Sequence, residues 1–356
     1  MSAKEVYTVT IEPAGIEMQV EEDETVLDAA FRQGIALMHG CKEGQCGSCK
    51  AILVQGDAHE DIELLKFSSF ALPDAEREND HILLCRTQLF ADISIELLNV
   101  DEELLSASVP VSSHAATLVG MRALTHDIRL IEIELDEPLA FKAGQYVDIT
   151  LPGTGIRRAF SMANPPSRDR DDGRRLDFII KKYPDGKFSS MLDEGLGVGD
   201  PLEVKGAYGS CFRRASRTGA LVLVGGGSGM SPLWSILHDQ LATGEGRPIL
   251  FFYGARTSRD LFYVEELAAL AAEHPELEFV PALSEPDADV DWRGETGFIH
   301  EVLARRLGQA RPPPDSDAYA CGPPPMIDAV LPVLQMNGIE SDHVHSDRFT
   351  PSVSEA

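Results

Sequence analysis

The 356-residue chain reads as a multidomain α+β and α/β protein: a small α+β unit, an antiparallel β-barrel and a doubly wound α/β domain in series. Three observations predict this. A loop from Met38 to Lys50 carries three cysteines at the spacing C-x4-C-x2-C, and Cys85 follows 36 positions after Cys49. The middle of the chain holds many short strand-like segments broken by turn dipeptides, with room for one helix. After Arg217, apolar runs of strand length alternate with segments of helical length.

The cysteine loop organises the first part. Its spacing, with Cys41, Cys46, Cys49 and the distal Cys85, is the plant-type arrangement for a [2Fe-2S] cluster held by four thiolates. A loop wrapping an anionic cluster must turn its N–H groups toward the sulfurs, and Gly40, Gly44 and Gly47 permit the close approach that this requires. Four cysteines can also build a structural zinc site. Such sites ordinarily pair two short knuckles, and only one is present here.

Hydrophobic residues at 43% and charged residues at 25% are ordinary for a soluble globular chain. No stretch reaches the roughly 18 apolar residues of a membrane span. The N-terminus runs straight into an alternating pattern without the apolar core of a signal peptide. Beyond these four cysteines only Cys211 and Cys321 remain, so no disulfide framework is expected and the location should be the reducing cytoplasm. The net charge is −27, and residues 1–105 hold 22 Asp and Glu against 7 Lys and Arg, or −15. That surface repels nucleic acid and anionic membranes, and suits docking onto a basic patch of a protein partner.

In chain order, residues 5–12 and 16–22 alternate apolar and polar around Pro13-Ala14-Gly15 and predict a hairpin. Residues 25–34 predict a helix started near Thr25 or Glu24 and stopped by Gly34. Residues 50–54 leave the cysteine loop as a strand, 60–80 read as polar and partly helical, and 93–97 close the unit as a strand. Residues 3–100 thereby resemble the β-grasp ferredoxin domain, a small mixed sheet gripping one helix. Residues 101–112 read as a linker.

Residues 113–213 form the expected barrel, with strands at 115–124, 128–135, 145–151, 156–163, 176–182 and 202–205 and a helix at 189–194. Arg157-Arg158-Ala159-Phe160-Ser161 resembles the R-x-Y-S flavin motif of the ferredoxin–NADP reductase superfamily. The resemblance implies that Arg158 pairs with the FAD pyrophosphate, a natural role for a forked guanidinium. It implies that Phe160 packs on the flavin in place of the usual Tyr, and that Ser161 bonds near the reactive edge. Gly186-Lys187-Phe188-Ser189 opens the helix, with Ser189 at a capping position, and its N-terminus suits a diphosphate. Gly206-Ala207-Tyr208-Gly209 ends the barrel where the family shows G-P-x-G.

Residues 214–356 read as the nicotinamide-binding domain. Leu221–Val224 is a continuous apolar run of a buried parallel strand, followed by Gly225-Gly226-Gly227-Ser228-Gly229 and a helix over 232–241. Strands at 249–253, 277–282 and 317–321 alternate with helices at 264–272, 298–307 and 326–336. The glycine run matches the superfamily's G-G-G-x-G-x-x-P, and Cys321-Gly322-Pro323-Pro324 its C-G-P-P, which implies a thiol facing the nicotinamide. Arg256, at the second strand's end, faces the position that sets ribose specificity, with Arg259 able to meet a 2′-phosphate and Asp260 to oppose it. The ending Asp347-Arg348-Phe349 resembles the tail of monooxygenase reductases, making Asp347 and Phe349 contacts of the flavin.

The whole arrangement resembles the reductase components of bacterial soluble di-iron monooxygenases of the methane, propane and phenol type. That resemblance implies NADH as donor (NADPH not excluded), FAD, a [2Fe-2S] cluster, a monomeric reductase and a hydroxylase component as partner. Ser161, Cys321, Asp347 and Phe349 are its candidate catalytic residues. A Rieske-type dioxygenase as acceptor, or a redox-sensing protein whose cofactors are signals, are the alternative readings.

Overall fold

The computed structural model describes residues 5–98, 103–104, 110–166, 172–184, 186–287 and 291–349. The chain divides into two compact units, Met1–Val111 and Ser112–Ala356. The expected linker falls largely on residues outside the described ones. Among the described residues no helix is long and apolar enough to cross a membrane.

In the first unit, β1 (Val6–Glu12) and β2 (Ile16–Glu21) form the expected antiparallel hairpin. Helix α1 (Val26–Arg32) starts at Thr25, whose Oγ1 accepts from the Asp28 amide at 3.2 Å, and Gly34 ends it at φ +71°. It buries Val26, Leu27, Ala29, Ala30 and Phe31. Strand β3 (Lys50–Gln55) leaves the cysteine loop. The partly helical segment resolves into a short strand β4 (Ile62–Leu64) and a single turn, α2 (Asp74–Arg77), with no buried residue. The segment's buried residues, Ile62, Ala71 and Leu72, lie in β4 and in the turns before α2, so no apolar face extends that turn into a longer helix. Strands β5 (His81–Leu83) and β6 (Thr87–Leu89) flank Cys85, and β7 (Ile93–Leu97) completes a mixed sheet of order β2-β1-β7-β3-β5.

The second unit opens with the barrel. Strands β8 (Ser112–Ala123), β9 (Ile128–Leu135), β10 (Tyr146–Leu151), β11 (Ile156–Ser161) and β12 (Arg175–Lys181) precede helix α3 (Lys187–Glu194). Strand β13 (Pro201–Tyr208) extends beyond the expected 202–205 because β10 pairs with it as far as Tyr208. All pairings are antiparallel, in the order β11-β10-β13-β8-β9-β12. The sheet curls until a bridge between Met162 and Phe178 links its outer edges, around Leu118, Ile133, Val147, Ile149 and Phe178.

The rest is a parallel sheet. It comprises β14 (Leu221–Gly225), helix α4 (Met230–Thr243), β15 (Ile249–Ala255), α5 (Val264–Glu273), β16 (Leu277–Leu283), β17 (Glu295–Thr296), α6 (Ile299–Gln309), β18 (Asp317–Gly322), α7 (Pro324–Met336) and β19 (Val344–Arg348). The order β17-β16-β15-β14-β18-β19 reverses direction between β14 and β18, which opens a crevice at their carboxyl ends. Helices α4 and α5 cover one face through Leu233, Ile236, Leu237 and Leu267, and α6 and α7 the other through Val302, Leu303, Ile327 and Val330. Every residue of β14 is buried, which is why its sequence is a continuous apolar run.

At the opposite end of this sheet, Arg247 and Asp317 form an ion pair whose side chains are 3% and 0% exposed. Arg247 also donates to the carbonyls of Gly219 (2.6 Å) and Ala220 (3.3 Å), and Tyr319 Oη donates to Asp317 at 3.0 Å. Burial pushes the Asp317 carboxyl up, and Arg247 opposes that shift. Removing one partner strands the other charge in the core. Asp317→Ala is therefore expected to destabilise the second unit by about 3–5 kcal/mol, read as a lowered urea midpoint.

Candidate redox site

The three loop thiols meet that of Cys85, which arrives from between β5 and β6. Cys49 and Cys85 Sγ lie 3.2 Å apart and are buried, while Cys46 is exposed and Cys41 intermediate. Main-chain amides point at sulfur, as a cluster loop requires: Glu43 and Gln45 donate to Cys41 Sγ at 3.4 and 3.2 Å, and Cys41 N donates to Cys46 Sγ at 3.4 Å. Gly44 (φ +69°) and Gly47 (φ +73°) supply the left-handed turns, and a Cβ on Gly40 would stand 3.1 Å from Cys46 Sγ. The Cys46 thiol is drawn down to about 5, chiefly by its hydrogen bond with Cys41, which in turn is held up. Cys85 likewise draws Cys49 down while its own thiol is raised. Such pairs lose their protons together when a metal takes them, so the donor set fits a cluster. His39 adjoins this loop, but its Nδ1 lies 2.7 Å from the Leu37 carbonyl and burial pushes the ring down to about 4, so it adds no charge.

The two flavin motifs of the barrel also meet. Along β11, Arg158 and Phe160 share one face and alternate with exposed Arg157 and Ala159. The Phe160 ring lies 4.7 Å from that of Phe188 in the first turn of α3, which sets strand and helix N-terminus side by side. Gly186 is the N-cap of α3 and no side chain caps the first turn, which leaves its amides to an incoming anion. Ser189 does not cap this helix. Its Oγ donates toward the Tyr183 and Gly186 carbonyls and accepts from Tyr183 N at 3.1 Å, so the hydroxyl folds the preceding loop instead. The helix starts two residues before the sequence pattern suggested, which moves Ser189 inside it. Arg158 donates to the Arg157 carbonyl at 2.6 Å.

At the switch point, a cavity of about 530 Å³ opens between the ends of the parallel strands and the barrel. Gly226, Gly227, Ser228, Arg256, Gly322, Pro323 and Phe349 line it. Gly225 and Gly229 lie behind that wall: a Cβ on Gly225 would collide with Leu233, and one on Gly229 with the Cys321 carbonyl. Cys321 is fully buried, its thiol hydrogen-bonded with Cys211 and pushed up by burial. Asp347 stands opposite Cys321 in the β18–β19 register, and its carboxylate accepts from Ser161 Oγ at 3.2 Å. Phe349 follows, its amide bonded to the Gly322 carbonyl at 2.9 Å. Ser161, Cys321, Asp347 and Phe349, separate in sequence, thus share one seam where β11 meets the nicotinamide half.

Family models match three consecutive parts of the chain. These are a 2Fe-2S iron-sulfur cluster binding domain over residues 9–89, an oxidoreductase FAD-binding domain over 115–212 and an oxidoreductase NAD-binding domain over 223–331. The chain is 42% identical over 352 residues to the reductase component of propane 2-monooxygenase from Rhodococcus jostii (strain RHA1), covering 97% of this chain and 91% of that protein. The chain belongs to the family of monooxygenase reductase components. It is also 37% identical to the phenol 2-monooxygenase reductase component DmpP of Pseudomonas sp. (strain CF600), covering 96% and 94% of the two. The crystal structure of the Amycolatopsis cytochrome P450 reductase GcoB superposes with a TM-score of 0.83 at 29% identity, covering 97% and 99%.

The reductase uses more of its chain around the cavity than the motifs suggested. Asp127, Ile128, Lys181 and Tyr183 reach it from the barrel, where Lys181 pairs with Asp127 at 3.0 Å. Ile128 and Lys181 are opposite each other in the β9–β12 register, a pairing no local pattern announces. Ser284, Gly297 and Phe298 join them from the ends of β16 and β17, and the rule that ligands sit at the carboxyl ends of parallel strands could have pointed there. Asp260 lies in the same wall, 4.0 Å from Arg256 and bonded by Thr257 N and Oγ1 at 3.0 and 2.9 Å.

Two substitutions probe these assignments. Cys46→Ser is expected to abolish the cluster's visible absorption while sparing NADH-driven ferricyanide reduction, as measured by spectra and dye assay. Arg158→Ala should weaken flavin retention by roughly tenfold or more, the loss of a charge-assisted hydrogen bond, read from free flavin in an ultrafiltrate.

Proposed function

We propose that this reductase takes electrons from NADH and delivers them to the hydroxylase component of a di-iron monooxygenase acting on a small hydrocarbon. The observation that carries the internal path is the seam just described: Ser161, at the end of the flavin-motif strand, bonds Asp347, the register partner of Cys321. The acceptor class is supported by the names of the relatives, since identity to the propane enzyme's reductase exceeds that to the phenol enzyme's.

On this reading Cys41, Cys46, Cys49 and Cys85 hold the cluster. Arg158 and the amides of Lys187 and Phe188 hold the FAD pyrophosphate, with Phe160 against the flavin and Gly186, Ala159 and Ser189 shaping the strand and loop around it. The Gly225–Gly229 loop, with Gly322 and Pro323, cradles the dinucleotide. When bound, the nicotinamide supplies a hydride, the flavin divides its electron pair, and the cluster carries single electrons. The chain's own part is to align and to exclude water. Phe349 with Gly322 and Pro323 borders the nicotinamide end. Cys321 supports it from beneath, with its thiol turned to Cys211 and not into the cavity as the motif implied, and Ser161 with Asp347 keeps a hydrogen-bond pair beside the reacting edge. NADH is the preferred donor, because the Asp260 carboxylate in the cavity wall repels a 2′-phosphate despite Arg256 beside it. The reductase works as a cytoplasmic monomer.

Mixing the purified reductase with a propane-type di-iron hydroxylase and its regulatory component tests the proposal. NADH-dependent alcohol formation is the expected result, with NADPH at least tenfold poorer, about 1.4 kcal/mol of discrimination. Electron delivery to a Rieske oxygenase but not to the di-iron protein would transfer the assignment to ring dioxygenation. Absence of NADH-driven reduction of any acceptor, dyes included, would favour a sensing role.

A further inference from the structure

We propose that Ser231 and Ser235, buried on one face of α4, are positioning residues that hold the flavin strand at a fixed distance from the dinucleotide loop. The inference rests on the reading that β11 carries the flavin edge and that the glycine loop opening α4 carries the dinucleotide.

The two serines lie four residues apart, so they face the same way, and they are 1% and 0% exposed. Their neighbours Met230, Leu233, Ile236 and Leu237 are all fully buried and apolar. A helix selected only for burial has no use for hydroxyls here, and serine in a helix usually turns its hydroxyl back on its own backbone. These two do not. Ser231 Oγ donates to the Ser161 carbonyl at 2.6 Å and accepts from the Ile179 amide at 3.2 Å. Ser235 Oγ donates to the Asn164 carbonyl at 2.6 Å.

All three partners belong to the barrel's outer strands or their extensions. Ser161 ends β11, Ile179 lies in β12, and Asn164 binds β12 through Oδ1, which accepts from Asp177 N at 2.8 Å. A single hydroxyl therefore pins the two strands that close the barrel to the helix that leaves the glycine loop. Ser161 is held twice: its carbonyl by Ser231 and its hydroxyl by Asp347. Hydride transfer is steep in distance, and a displacement of about 1 Å can cost a hundredfold in rate. A hydrogen-bonded pin resists sliding in a way that apolar contact does not, because dispersion is non-directional and a hydrogen bond is not.

The test uses holo-protein carrying Ser231→Ala, Ser235→Ala or Ser231→Thr. Hydrogen exchange by mass spectrometry on a peptide spanning 175–181 reads the Ile179 amide, and stopped-flow bleaching of the flavin by NADH gives the limiting rate and the apparent Kd separately. Ser231→Ala is expected to lose protection in that peptide and to slow the limiting rate about tenfold to a hundredfold, with Kd within about twofold and flavin and cluster content unchanged. Ser231→Thr, which keeps the hydroxyl, should recover most of the rate. Ser235→Ala gives a second, independent reading should Ser231→Ala fail to accumulate, with the same split between rate and Kd. A wild-type limiting rate in both alanine variants, or a loss confined to Kd, would overturn the positioning role. If the unsubstituted protein itself shows no flavin bleaching with NADH, the underlying assignment of the flavin and dinucleotide sites falls instead.

Discussion

The close approach of Gly229 to the Cys321 carbonyl is the constraint on which the nicotinamide half depends. Any side chain at residue 229 would occupy the space of that carbonyl, so the start of α4 and the end of β18 can touch only through backbone. Gly226 meets the same demand on the other side, where a Cβ would stand 2.7 Å from the Gly254 carbonyl. These contacts draw three strand ends, β14, β15 and β18, around one crevice. They also explain why this glycine run differs from the usual G-x-G-x-x-G while doing comparable work: its residues answer to the spacing of neighbouring strands as much as to a phosphate.

Around that crevice side chains and backbone are held by hydrogen bonds with main chain and with short hydroxyls. Asp260 is fixed by the Thr257 amide and hydroxyl, Asp347 by strand pairing and Ser161, and Phe349 by the Gly322 carbonyl. Each is immobilised before any ligand arrives, which lowers the entropy lost on binding. The first unit uses the same principle with different chemistry. There the amides of Cys41, Glu43 and Gln45 converge on sulfur, and glycines rather than side chains provide the curvature.

The fold was legible to the extent that local rules govern it. The hairpin at Pro13-Ala14-Gly15, the Thr25 cap and the buried strand Leu221–Val224 all follow from short-range patterns, and the structure has each of them. The cysteine spacing likewise announced its own geometry. Short strands without strong periodicity, such as β5 and β6, were invisible because their partners are distant. Ser189 misled because a serine at a helix start and a serine serving the preceding loop look alike in sequence. Lys181 and Asp127 reach the cavity only through the register of β9 and β12 and the packing of barrel on α/β sheet, neither of which a linear pattern encodes. Ser231 and Ser235 sit among the buried apolar residues Met230, Leu233, Ile236 and Leu237, and only their partners reveal what the hydroxyls are for.

The partition of the chain into Met1–Val111 and Ser112–Ala356 carries a consequence for how such a molecule can change. The parts that match FAD-binding and NAD-binding domains are built into one continuous body with shared hydrogen bonds, so they must vary together. The unit with the cluster cysteines has its own sheets, its own helices and its own buried residues. Substitutions that retune one body for a new recipient can therefore accumulate without disturbing the alignment that the other must keep.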